Sequence, residues 1–92
     1  MSILVHPAQL EDTQRRAALA AIKQALKGQV SEESLVDMTV HYDEDQERSI
    51  IVWEQGCYEW PFDYHEKMSD ALRPLGLWYE PCNHWSVAIY WL

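Results

Sequence analysis

Residues 35–53 read Leu35-Val36-Asp37-Met38-Thr39-Val40-His41-Tyr42-Asp43-Glu44-Asp45-Gln46-Glu47-Arg48-Ser49-Ile50-Ile51-Val52-Trp53, and they decide the fold class. Val36, Met38, Val40 and Tyr42 alternate with Asp37, Thr39, His41 and Asp43, the period of a strand with one wet side. The acidic run that follows cannot enter a core and reads as a turn. Residues 49–53 are almost purely β-favouring and supply a second strand over 48–54. Gln55-Gly56 suits a two-residue hairpin loop, with glycine at a positive φ, and residues 57–60 would return as a further strand ended by Pro61.

On the amino-terminal side, residues 7–27 are strong helix formers. Pro7 suits the first turn and Gly28 the stop, and the stripe runs through Leu10, Ala17, Ala21, Ile22, Ala25 and Leu26. Residues 31–34 read as a polar connector. On the carboxyl side a second helix is expected over about 63–73, with Asp63 and Glu66 as a capping pair and Pro74 and Gly76 ending it. Residues 77–80 and 85–92 are strands. The last of these is apolar on both faces, which predicts a central strand or one covered on both sides.

The expected architecture is α+β: an antiparallel sheet of four or five strands with two helices packed on one face, in the order α-β-β-(β)-α-β-β. At 92 residues the chain is read as one domain spanning 1–92. Hydrophobic residues make up 48% of it, too many for an acidic disordered tail. No apolar run approaches the roughly 18 residues of a membrane span. The first residues lack a basic segment and a long apolar run, so a cytoplasmic, reducing setting and free thiols at Cys57 and Cys82 are expected.

The net charge of -8 is unevenly spread. Residues 1–28 carry four bases and two acids, residues 29–66 carry eleven acids and Arg48 alone, and residues 67–92 balance. Such a chain does not bind a phosphate backbone or an anionic membrane directly; it attracts basic partners.

Motifs for chemistry are sparse. Cys57, His65, Cys82 and His84 are the residue types of a zinc site, but Cys-x7-His and Cys-x-His are not knuckle spacings. Cys82-Asn83-His84 has the types of a thiol triad, yet neighbours in a turn rarely face one another. Asp43-Glu44-Asp45 lacks the glycine and the terminal glutamate of a calcium loop, and the three glycines are isolated, so no phosphate loop exists. The expectation is no catalysis, no cofactor and no metal. The alternative is a small metal- or thiol-dependent enzyme using Cys57, His65, Cys82 and His84.

Tryptophan is the unusual feature, with Trp53, Trp60, Trp78, Trp85 and Trp91 all in the last forty residues. Two helices cover one face of a sheet, so some of these rings fall on the other face or at its edge, where Trp and Tyr serve as binding anchors. The expected partner surface uses Asp43, Glu44, Asp45, Glu47 and Glu54 for steering, Tyr42, Trp53 and Tyr58 as anchors, and Glu59 beside them. In charge and length the chain resembles phage anti-defence proteins, anti-CRISPR proteins among them, and toxin-neutralising immunity proteins. The resemblance carries no motif and assigns no residue. It implies a small acidic inhibitor that docks on a basic nucleic-acid-handling enzyme or nucleoprotein complex. A homodimer is the further expectation if the uncharged final strand lies at a sheet edge.

Overall fold

The computed structural model describes residues 10–53, 62–83 and 86–92, with the backbone alone at Phe62 and Asp63. Ala18, Ile22 and Leu26 recur every four residues and are fully buried, which gives α1 (Asp12–Leu26) its inward stripe. The stripe is turned from the expected one, since Ala17 is exposed. Leu10 and Glu11 stand outside the helix: the Glu11 N–H donates to Gln14 Oε1 at 2.7 Å, and the Arg15 guanidinium donates to Leu10 O at 2.5 Å. Gly28, at φ 85°, lets the chain turn away after the helix.

Residues 31–34, expected as a connector, begin a short helix, α2 (Glu32–Asp37), so the strand starts at Thr39 rather than at Leu35. Ser31 is the cause. Its Oγ accepts the Ser34 N–H at 3.1 Å and satisfies a helix-start donor. The burial then follows helical spacing: Leu35 and Met38 are buried, while Val36 is 76% exposed, which corrects its assignment to an inward strand face.

β1 (Thr39–Asp43) and β2 (Arg48–Val52) form the expected acidic hairpin. After it come α3 (Phe62–Leu72), a 3-10 turn over Arg73–Leu75, β3 (Leu77–Asn83) and β4 (Ser86–Trp91). The expected loop and returning strand at 55–60 lie outside the described residues. β3 continues through Pro81 to Asn83, past the strand end expected at residue 80. Pro81 is tolerated because β3 is an edge strand, and the register shifts between Pro81 and Asn83.

The four strands form one antiparallel sheet in the order β1-β2-β4-β3. β4 is therefore internal, as its two apolar faces predict, and it offers no edge for pairing with a second copy. Val40, Ile51, Val87, Ile89 and Leu77 share the face that packs with α1 and α3 through Ile22, Leu26, Met68 and Leu72. The opposite face carries His41, Arg48, Ile50, Ala88, Tyr90, Trp78 and Glu80.

These placements separate two neighbouring residues sharply. Met38→Ala should lower unfolding free energy by about 2–5 kcal/mol, and Val36→Ser should change it by less than about 0.5 kcal/mol. Urea denaturation measures both. Equal losses would restore the longer strand.

Candidate functional site

The turn between β1 and β2 is built by Asp43. Its Oδ1 accepts the N–H groups of Asp45 (3.1 Å) and Gln46 (3.4 Å), an arrangement that aspartate stabilises in turns. Glu47 closes the turn at φ 52°, and Glu44, Asp45 and Glu47 are exposed. Among the described residues no base forms an ion pair with these three. Arg48, the nearest base along the chain, has its Nε 3.7 Å from Asp43 Oδ2.

Arg48 begins a row across the face opposite α1 and α3. Ser49 pairs with Ile89, so the next position brings Arg48 beside Tyr90, and Tyr90 pairs with Trp78 on β3. A hydrogen bond with the Tyr90 side chain is the main influence holding the Arg48 pKa above its ordinary range. Burial opposes it, and the fields of Cys82, Tyr90 and Asp43 add to it. The Trp78 and Tyr90 rings lie 5.1 Å apart at 34°. The Trp78 indole N–H donates to Trp91 O at 2.9 Å, which fixes the ring, yet 40% of the residue remains exposed. Acidic turn and ring pair thus occupy the same end of the sheet.

Asp43, Glu44, Asp45 and Glu47 gather as anticipated. Tyr42 does not join them, because its parity turns it toward the helices, where the Arg15 guanidinium lies 5.3 Å from its ring centroid. Trp53 is only 4% exposed and belongs to the core, so it is no surface anchor. Glu54, Tyr58 and Glu59 lie outside the described residues.

Trp78 and Tyr90 are the rings that sequence reasoning missed. The available signal was parity: Trp78 is two residues from Glu80, whose charge marks the wet face of β3.

Of the alternative set, His65 and Cys82 are among the described residues. His65 Nδ1 lies 2.7 Å from the Tyr79 hydroxyl on the helix side of the sheet, and that hydroxyl also donates to His65 O at 3.2 Å. Cys82 lies three residues farther along β3 and is half-buried. Cys57 and His84 lie outside the described residues. Among the described residues no three His, Cys, Asp or Glu side chains group as a metal site.

Burial raises the Tyr79 pKa, and a hydrogen bond with Ser69 opposes this in part. A raised pKa in the folded state means that the folded protein holds this proton more tightly than the unfolded chain does. Its stabilising contribution is whole below about pH 10, the unfolded value, and is lost as pH rises through the folded value. Tyr79→Phe should cost on the order of 1 kcal/mol at neutral pH and flatten the alkaline decline. Unfolding measured from about pH 8 to 11 checks this, and parallel declines in both proteins would contradict it. No family model, curated protein or solved structure matches the chain.

Proposed function

We propose that this chain is a non-catalytic binding protein, a small acidic blocker that docks on a basic nucleic-acid-handling enzyme or complex. The observation that carries the reading is the shared location of exposed Glu44, Asp45 and Glu47 and the tilted Trp78–Tyr90 ring pair at one end of the sheet. Proteins that hold single-stranded nucleic acid combine a basic groove with aromatic platforms. Carboxylates beside flat rings offer such a groove the same two features that phosphates and bases offer it. The exposed carboxylates act mainly on encounter, through long-range steering that salt screens, while desolvated rings govern how slowly the complex separates. A cytoplasmic setting and the charge and size shared with anti-defence and immunity proteins fit this role.

The test is a charge-reversed chain carrying Glu44→Lys, Asp45→Lys and Glu47→Lys. At about 50 mM salt the unaltered protein should retain nucleic-acid-binding proteins from a lysate and release them to added DNA or RNA. The reversed chain should retain them at least about tenfold more weakly, a difference that shrinks at about 200 mM salt. Undiminished retention by the reversed chain, or indifference to added nucleic acid, would contradict the reading.

A further inference from the structure

Among the described residues four large hydrophobic side chains are exposed, and three of them stand on backbone positions that the β3–β4 pairing gathers at one corner of the sheet: Leu75 (40%), Trp78 (40%) and Leu92 (75%). The pairing of the chain brings them together. The Leu92 N–H donates to Gly76 O at 2.9 Å, which sets Leu92 beside the residue that follows Leu75. Tyr90 pairs with Trp78, its ring tilted against the indole, and completes the corner. Gly76, at φ 75°, makes the tight turn into β3. The indole N–H, the only polar atom of that ring, is committed to Trp91 O, so the exposed part of the ring is apolar and held in place. A preformed apolar surface loses little freedom when something covers it.

We infer that this corner is a docking surface for a basic polypeptide segment that carries apolar side chains. The inference rests on the binding role proposed above and adds what the partner must present. Charge selects the occupant. The corner shares its end of the sheet with the exposed carboxylates of Glu44, Asp45 and Glu47, and the nearby bases are already paired. Arg73 Nη1 meets Asp70 Oδ1 at 3.0 Å, and Arg48 faces Asp43. A nucleic acid would be repelled. A second copy, with the same charge of -8, would bring another acidic turn to the interface. Neighbouring strands lie about 4.8 Å apart, so the turn and Trp78 are separated by about 10–14 Å. Two to three helical turns, or about four extended residues, span that distance. One short segment can therefore set lysine or arginine against the turn and an apolar side chain against Trp78.

Two synthetic peptides of equal positive charge, titrated into the full chain and followed by amide and indole NMR, test this. One interleaves lysine with leucine and tryptophan, and the other has glycine and serine in place of those apolar residues. The apolar peptide should bind at least about tenfold tighter and shift the Trp78 indole N–H and the Gly76 and Leu92 amides. Trp78→Ala should weaken it about tenfold and leave the polar peptide unaffected. Leu92→Ser, at a highly exposed position that spares the core, should weaken it in the same direction. Equal binding of both peptides would overturn the corner while sparing the charge-based role, and binding of neither would remove both. Self-association abolished by Trp78→Ala without peptide would assign the corner to a second copy instead.

Discussion

A four-stranded sheet has two faces, and the described helices α1 and α3 pack on one of them. That constraint orders the rest of the molecule. Alternation along each strand sends Ile51, Val87, Ile89 and Leu77 under the helices and sends Arg48, Tyr90 and Trp78 to the other side. The helix-side set forms a dry core around Ile22, Met68 and Leu72. The opposite set mixes rings, one guanidinium and small residues such as Ala88. Hydrophobic burial thus fixes the fold, and the same alternation leaves a ring pair where a partner can reach it.

Electrostatics then distinguishes the two ends of that face. The β1–β2 turn needs Asp43 for its geometry, since the carboxylate accepts two backbone N–H groups. Glu44, Asp45 and Glu47 make no such contribution, and Glu47 sits in a left-handed conformation that asparagine or glycine would occupy with less strain. A turn selected for stability alone would favour those residues. Acids placed there instead are consistent with a role in meeting something positive.

Most of the scaffold was legible because strong local signals agreed with tertiary packing. Gly28 marked the end of α1, the acidic run marked the hairpin turn, and the two apolar faces of residues 85–92 marked an internal strand. Two features were not legible. In α2 the six residues are too few to establish a helical period, and the Val36–Met38 spacing also fits a strand. Only the Ser31 cap separates the two readings. The rings were misassigned for a related reason. Tyr42 shares parity with Val40 and so faces the helices, and Trp53 shares parity with Ile51 and joins the core. A ring's presence was readable from composition, but its exposure depended on which face the helices cover.

An exposed indole and a set of carboxylates with no ion-pair partner among the described residues share one end of the sheet. Fluorescence quenching by caesium and iodide ions reads that coincidence directly, with Trp78→Phe subtracted to isolate the Trp78 signal. Caesium should quench Trp78 more efficiently than iodide after normalising for intrinsic efficiency, and the preference should fade as inert salt is raised. An indole quenched equally by both ions, or shielded from both, would mean that Trp78 and the acidic turn do not share a surface.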